Sequence, residues 1–498
     1  MNKLPDNPAK MLTTIVGAEN VSTDPHDLNE YSGSKTLGES RSPICIVSPR
    51  TSEQIKQIVE LANAKSITII PVSSGGPRLR GDTVPQSNNS VILNLKKMNR
   101  ILRIDPANKV AMVEAGVNYS DFVKELSKHG LRPLIPFLPR PSKSVVAGCL
   151  DREPITAPRY QWDSSDPLLC TEVVFGSGDL FRTGSAAGPG SLEEQWASGQ
   201  AQKNPLGPSQ FDPFRLIQGS QGTIGVVTWA TVKCEIAPSA QKILMAQSEQ
   251  IDGLIDFVYA LLKRKLSDDL FILNAMSLSC ALKSTRKEIE LLRKTLPHWN
   301  LILSFSGHGD MANEELAYRV ADAQDIAGEH GVKLQETLGK ITAQSITGLI
   351  SVPSTEPYWK LRFSGGCQEV FAITTLDVTP ALWSAFTSAC SKAAYPIENI
   401  SAYIQPTSQG TNAHFECNIF YDPASKEEVQ RAKTLYLSGS EALAKSGAYF
   451  SRPYGQFSSV VLQRCSKETL SAMQKVKRIF DPKGIMNPGR FPSKEAKQ

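Results

Sequence analysis

Short apolar, β-branched runs broken by turn residues dominate the first half of the chain. They predict strands over 43–47, 66–72, 91–95, 102–104 and 109–114. Between the first two, 51–64 has helical periodicity, with Thr51 placed to cap it and Glu53 and Gln54 in its first turn, so 43–72 reads as a β-α-β unit. A helix over 119–129 is closed by Gly130, and 172–176 with 180–183 form a hairpin around Gly176-Ser177-Gly178-Asp179. The stretch 184–208, rich in Gly, Ser, Pro and Gln, reads as a long loop of the kind that usually carries function. A β-branched strand region over 223–235 leads to Ala237-Pro238-Ser239, a domain boundary.

Past that boundary the pattern changes. Helical stretches at 251–264, 284–295 and 313–330 alternate with strands at 301–305, 369–375, 401–405 and 413–421. An antiparallel sheet backed by helices, an α+β arrangement, follows. Two more helices, 425–445 ended by Gly447 and 467–479, precede Asp481-Pro482-Lys483-Gly484. There is no internal repeat.

At 498 residues the chain exceeds one ordinary domain. Its 41% apolar and 21% charged content is that of a globular protein. A net charge of +5, dispersed without a basic tract, argues against nucleic acid as a partner. Nine scattered cysteines with no CxxC pair suggest reduced thiols in a cytoplasm rather than iron–sulfur or structural zinc sites. The first residues lack an apolar core of a signal peptide, and no run of about 18 apolar residues predicts a membrane span.

Candidate chemistry begins where the 66–72 strand runs into Ser73-Ser74-Gly75-Gly76-Pro77. Glycines there let the backbone approach a bound group, and a row of outward N–H donors suits a pyrophosphate. Taken alone, such a segment is more often a simple turn.

Further segments change that balance. Pro71-Val72-Ser73-Ser74-Gly75-Gly76 is followed by Val113-Glu114-Ala115-Gly116-Val117-Asn118-Tyr119-Ser120-Asp121, then by Glu172-Val173-Val174 through Arg182-Thr183-Gly184. Gln218-Gly219-Ser220-Gln221-Gly222-Thr223-Ile224-Gly225-Val226-Val227-Thr228 and Phe480-Asp481-Pro482-Lys483-Gly484-Ile485-Met486-Asn487-Pro488-Gly489-Arg490 complete the series. In this order and spacing the chain resembles the FAD-linked oxidases of the vanillyl-alcohol oxidase and p-cresol methylhydroxylase (PCMH-type) superfamily, which also holds glycolate and D-lactate dehydrogenases. The resemblance is good over 42–238 and 440–491 and looser between.

It implies a two-subdomain PCMH-type FAD-binding domain over 1–238, an antiparallel-sheet α+β substrate cap over 239–440, and a segment over 441–498 that returns to the FAD domain. It implies cofactor contacts from Pro71, Val72, Ser73, Ser74, Gly75, Gly76 and Pro77, from Gly148 and Cys149, from Gly222, Thr223, Gly225, Val226 and Val227, and from Asn487 and Arg490. The second phosphate-contacting segment departs from the family pattern, reading Val145-Val146-Ala147-Gly148-Cys149-Leu150. Covalent attachment in the family uses His, Tyr or Cys. The matching strand, Gly365-Gly366-Cys367-Gln368-Glu369-Val370-Phe371, has no His or Tyr, and Cys367 and Cys149 are taken as bystanders, so FAD is expected to be non-covalent.

Oxidising an alcohol or benzylic carbon needs a C–H aimed at the flavin, a proton acceptor, and anchors for the substrate. Asp163, nine residues before Glu172, matches an aspartate near the flavin in the vanillyl-alcohol oxidase branch, although Asp163-Ser164-Ser165-Asp166-Pro167 is equally a surface turn. Arg452 matches an arginine that binds a substrate phenolate. The tyrosine beside that arginine is replaced by Ser451 here, and a second phenolate tyrosine by Arg80. If both arginines enter the pocket they form a fork suited to a carboxylate; the alternative for Arg80 is a solvent-facing loop. Tyr449 and Tyr454 are candidate hydroxyl anchors or core aromatics. His414 and Glu416 share one face of a strand, His414 as a pocket residue rather than a metal ligand. The hydroxy-acid branch carries Glu-His-Gly near its C-terminus, where this chain has Arg452-Pro453-Tyr454-Gly455. No metal is expected, and His308 reads as a turn residue.

Three functions follow. The first is oxidation of an aromatic alcohol or phenol-type side chain. The second is D-2-hydroxy-acid dehydrogenation with electrons passed to a partner. The third is a non-catalytic flavin-fold subunit. A small-molecule substrate, an electron-accepting cytochrome or iron–sulfur subunit, and a homodimer complete the expectations.

Overall fold

The computed structural model describes residues 7–33, 37–38, 40–158, 167–198, 202–207, 214–455 and 457–490. Its first half carries two sheets. In one, the parallel strands Cys45–Val47, Ser90–Asn94 and Thr68–Val72 stand side by side in that order, with Val21–Ser22 added antiparallel at the edge. The expected crossover is the helix Ser52–Lys65, and the Thr51 side chain accepts a hydrogen bond from the Gln54 N–H at 3.2 Å. Its apolar stripe, Ile55, Ile58, Val59 and Ala62, packs on Cys45, Val47, Ile69 and Leu93. The second sheet is antiparallel, in the order Ile101–Asp105, Val110–Glu114, Gly225–Ile236, Leu168–Phe175, Leu180–Arg182; Leu131–Pro133 extends the pairing of Gly225–Ile236.

Six antiparallel strands form the third sheet: Ala240–Ser248, Trp299–Gly307, Asp269–Asn274, Ile400–Thr407, Asn412–Tyr421 and Gly366–Thr374, in that order. The helices Asp252–Arg264, Ala312–Glu329, Thr379–Lys392 and Lys426–Lys445 contribute Phe257, Val320, Phe386 and Leu435 to the core on one of its faces. Its other face meets the first half of the chain, where Leu79, Phe137 and Leu138 join one apolar cluster with Phe271, Trp359 and Tyr403. Polar contacts fix the join: Thr156 Oγ1 donates to Asp269 at 2.7 Å, and Arg132 lies 3.6 Å from the same carboxylate.

The end of the described chain returns to the first sheet. After the helix Lys467–Phe480, Asp481 accepts from the N–H groups of Ile485 and Met486 at 2.9 and 3.1 Å and pairs with Lys477 at 2.7 Å. This turn delivers Asn487, whose N–H donates to the Ile69 carbonyl at 2.8 Å, beside the glycine loop.

Several elements differ from the sequence reading. The stretch expected to be a bare loop over 184–208 holds the 3-10 turn Gly184–Ala187 and the helix Leu192–Ala197, whose Ser191 and Glu194 cap one another's backbone N–H groups. The strands Ala240–Ser248 and Asp269–Asn274 and the helices Ala275–Leu282 and Thr379–Lys392 were not anticipated. Asp269–Asn274 and Ala275–Leu282 are buried on every side, so neither shows the polar–apolar period that marks a half-exposed element. Among the described residues no helix is long and apolar enough to cross a membrane.

Candidate active site

Where the two N-terminal sheets and the returning C-terminal segment converge, they leave a cleft with about 1010 Å³ of empty space. Pro71, Val72, Ser73 and Ser74 form one wall, Gly222, Gly225, Val226 and Val227 another, and Asn487 a third. Two residues in left-handed conformation interlock there. Asn487 (φ 36°) donates from Nδ2 to the Gln221 carbonyl at 2.7 Å, and Gln221 (φ 53°) donates from Nε2 to the Pro453 carbonyl at 2.9 Å. Gly222 (φ +70°) is required on two counts, since a Cβ would also stand 3.2 Å from Pro71 Cδ.

The remaining expected cofactor residues sit behind this surface. Gly75, Gly76 and Pro77 are tied to the segment 140–144: Gly75 N–H donates to the Ser142 carbonyl, Ser142 Oγ to the Gly76 carbonyl at 2.8 Å, and Arg140 to the Pro77 carbonyl. Gly148 faces Tyr119, whose hydroxyl lies 2.5 Å from where a Cβ would be; Cys149 is buried, while their neighbours Val146, Ala147 and Leu150 line the cleft. Thr223 Oγ1 donates to the Ser220 carbonyl at 2.7 Å, and Arg490 donates to the carbonyls of Gly81 and Val84 beside an adjoining cavity.

The cleft suits a cofactor with many donors and acceptors. Gln221 Oε1, Asn487 Oδ1, Thr83 Oγ1, Arg78 Nε and Arg140 Nε, all on residues lining it, are buried without a hydrogen-bond partner among the described residues. Leaving such atoms unsatisfied costs about 1–3 kcal/mol each, which a bound polar group offsets.

Lys143 and Arg140 line both this cleft and a smaller cavity of about 450 Å³. That cavity shares Arg80, Glu153, Tyr358 and Glu369 with a third space of about 460 Å³ beneath the cap sheet. Strand alternation and register decide what faces it. His414 pairs with Ile373 and Gln405, Glu416 with Phe371 and Tyr403, and Asn418 with Glu369 and Ser401. Glu369, Phe371, Tyr403, His414 and Glu416 therefore share one face, opposite Val370, Ala372, Phe415 and Cys417 in the helix-covered core.

A ladder of buried charges crosses this region. Lys143 contacts Asp151 at 2.8 Å and Glu153 at 3.1 Å; Glu153 accepts from Arg80 at 3.1 Å; and Arg80 Nε donates to Glu369 at 2.5 Å. Lys360 Nζ bridges Glu369 and Glu416 at 2.5 Å each, and the other Glu416 oxygen lies 3.3 Å from His414 Nε2. Burial disfavours the Glu416 carboxylate, but Lys360 and the hydrogen bond to His414 together outweigh it and bring the pKa down to about 2. Burial also drives the His414 pKa below its ordinary value, against the pull of Glu416.

Arg452 stands apart from the ladder. Its guanidinium lies 4.6 Å from the Phe371 ring centre, with that of Arg80 at 5.0 Å from the same ring. Only 7% of the residue is exposed, and Nε and Nη1 have no hydrogen-bond partner among the described residues. Burial, followed by the charge of Arg80, lowers its pKa to about 10. The two arginines, which could form a fork if both entered the pocket, differ: Arg80 is paired with Glu369 and Glu153, whereas Arg452 Nε and Nη1 have no hydrogen-bond partner among the described residues.

Tyr454 borders the adjoining cavity and donates to the Glu369 carbonyl. Tyr449 does not line the site; the residue is 67% exposed and its backbone pairs with Ile373. Asp163 lies outside the described residues. Sequence reasoning missed Lys143, Asp151, Glu153 and Lys360, all on loops or short turns without a recognisable motif, and it passed over Glu369 as an ordinary strand residue.

The family model described as "FAD binding domain" matches residues 43–184, and that described as "FAD linked oxidases, C-terminal domain" matches 379–491. The protein is an FAD-dependent oxidoreductase. It belongs to the PCMH-type superfamily of FAD-linked oxidases and dehydrogenases. Glycolate oxidase subunit GlcD of Bacillus subtilis is 24% identical, over 98% of this chain and 97% of its own. The 4-cresol dehydrogenase [hydroxylating] flavoprotein subunit of Pseudomonas putida is 23% identical, over 96% and 93%. Among solved structures, p-cresol methylhydroxylase with substrate bound superposes with a TM-score of 0.82 at 21% identity, covering 97% of this chain and 96% of that one. The 4-ethylphenol oxidase of Gulosibacter chungangensis reaches 0.83 at 17% identity, with the same coverage. These likenesses confirm the two-domain α+β fold.

Proposed function

We propose that this oxidoreductase oxidises a small aromatic substrate at a benzylic or CH–OH carbon, with Arg452 holding an ionised oxygen of that substrate. The observation that carries the reading is the buried Arg452 guanidinium, with two unpartnered N–H groups in a space walled by Phe137, Tyr358, Trp359 and Tyr403. A buried guanidinium whose N–H groups have no acceptor is costly unless a ligand supplies one. Flat aromatic walls favour a planar ring.

FAD, when bound, supplies the hydride acceptor. Pro71–Ser74, Gly222–Val227 and Asn487 hold it, and the apolar walls exclude water. His414 takes the substrate proton at Nδ1, since Nε2–H donates to the ionised Glu416 at 3.3 Å; burial keeps the imidazole neutral, which is the form that accepts a proton. Neither buried thiol in question is a candidate for flavin attachment: Cys149 is pushed up to about 12 by burial and Cys367 is raised as well, so FAD is non-covalent in this reading.

A D-2-hydroxy acid is the second reading, because glycolate and D-lactate enzymes match along nearly the whole chain and Arg452 would equally receive a carboxylate. The name D-lactate dehydrogenase [cytochrome] also supports a separate cytochrome as electron acceptor here, in place of an iron–sulfur subunit. Nine free thiols, eight of them buried, support the cytoplasm, and the family resemblance supports a homodimer.

Anaerobic addition of 4-hydroxybenzyl alcohol to the purified protein is expected to bleach the flavin absorbance, whereas D-lactate and glycolate leave it unchanged. Acid precipitation of the same preparation is expected to release FAD to the supernatant. Bleaching by D-lactate alone would replace the aromatic reading with the second one.

A further inference from the structure

Lys360 belongs to no motif, yet it occupies the centre of the charge ladder. The 3-10 turn Trp359–Leu361 that carries it is pinned by Trp359, whose Nε1 donates to the Leu138 carbonyl at 3.2 Å and whose N–H donates to Ser354 Oγ at 3.1 Å. Lys360 is 4% exposed and its ammonium meets one carboxylate oxygen on each of two neighbouring strands. We infer that Lys360 is a positioning residue that sets the proton affinity of His414 by way of Glu416, an inference that builds on the proposed role of His414 as proton acceptor.

A histidine beside a carboxylate in a dry pocket is normally drawn into its charged form. Here Glu416 is already engaged. Lys360 stands at 2.5 Å, closer than His414 at 3.3 Å, and Asn418 Nδ2 donates to Glu416 Oε1 at 2.9 Å. The other groups facing His414 also resist protonation or are neutral. Phe371 and Tyr403 place their rings 5.7 Å from it on the flanking strands; Gln405 and Ile373 lie beside it; and Arg452 adds a positive charge. Tyr403 stays a neutral phenol because burial raises its pKa.

Within the ladder Lys360 is the cation that Glu369 and Glu416 share. Removing Lys360 leaves the Glu416 carboxylate facing His414 at 3.3 Å without a competing cation, which draws a proton onto the imidazole, and a protonated imidazole accepts none from substrate.

The test is a pH titration of the His414 ring by NMR in the FAD-loaded protein, with the resonance assigned through His414→Gln. In the wild-type protein His414 is expected to titrate below the ordinary 6.5. Lys360→Met is expected to raise that value by at least about one pH unit, a tenfold gain in proton affinity, and Lys360→Arg to leave it low. The acid limb of anaerobic flavin reduction by 4-hydroxybenzyl alcohol should move by the same amount in Lys360→Met and recover at higher pH. A wild-type His414 that titrates above 6.5 overturns the inference, and so does an unmoved value or a pH-independent loss of rate in Lys360→Met. If Lys360→Met does not fold, the wild-type and Lys360→Arg titrations still decide. The titration needs no substrate, so a failure of the aromatic reading, seen as a wild-type flavin that 4-hydroxybenzyl alcohol does not bleach, stays separate.

Discussion

Exchanging Arg452 for methionine is expected to weaken binding of a phenolic ligand roughly 100-fold, about 3 kcal/mol, while FAD stays bound. The side chain lies outside the cofactor cleft, and its free N–H groups point into the aromatic-walled space. Equilibrium titration of the flavin spectrum with an unreactive 4-hydroxyaryl ligand measures the loss. The same substitution should stabilise the ligand-free protein. At Arg452 burial and the repulsion of Arg80 outweigh the attraction of Asp151 and Glu153, and an apolar side chain of similar length relieves that cost. A rise in thermal midpoint of a few degrees is expected. Weaker binding together with higher stability is what a residue kept for its ligand produces; a residue kept for packing would lose stability on exchange.

Gly222→Val is expected to yield folded protein that retains almost no FAD, with the ratio of flavin to protein absorbance down at least tenfold. Two effects combine. A left-handed φ costs a β-branched residue about 1–2 kcal/mol, and the new Cβ at 3.2 Å from Pro71 Cδ forces the two walls of the cleft apart. The residue stands at the cleft's rim rather than in a core, since Gly222 precedes the strand Gly225–Ile236 and its neighbour Gln221 is bound to Asn487 and Pro453. Thermal unfolding should therefore resemble that of wild-type protein freed of its cofactor.

How far the sequence could be read depended on whether a feature was local. The strand Thr68–Val72, the helix Ser52–Lys65 and its Thr51 cap follow from period and capping chemistry within a few residues. The glycine segments carried the cofactor, although Gly75 and Gly148 turn out to make room for Ser142 and Tyr119 rather than for the cleft itself. The Leu192–Ala197 helix was legible and overlooked: Ser191 and Glu194 have the spacing of a capping box.

The charge ladder was not legible. Arg80, Lys143 and Glu153 come from the first half, Lys360, Glu369 and Glu416 from the cap sheet region, and only tertiary packing brings them together. Gly366–Thr374 gave no alternation to read, because helices cover one of its faces and the first half of the chain the other. Arg80 and Arg452 looked equivalent in sequence; their difference rests on which of them has carboxylates within reach.

The central claim is that a negative oxygen on the substrate must reach Arg452 before the flavin is reduced. Anaerobic stopped-flow reduction by 4-hydroxybenzyl alcohol and by 4-methoxybenzyl alcohol tests it most directly, since the pair differs only in whether the ring oxygen can ionise. The account predicts rapid bleaching by the hydroxy compound and a rate lower by at least 100-fold, about 2.7 kcal/mol, with the methoxy compound. Equal rates with the two alcohols would contradict it.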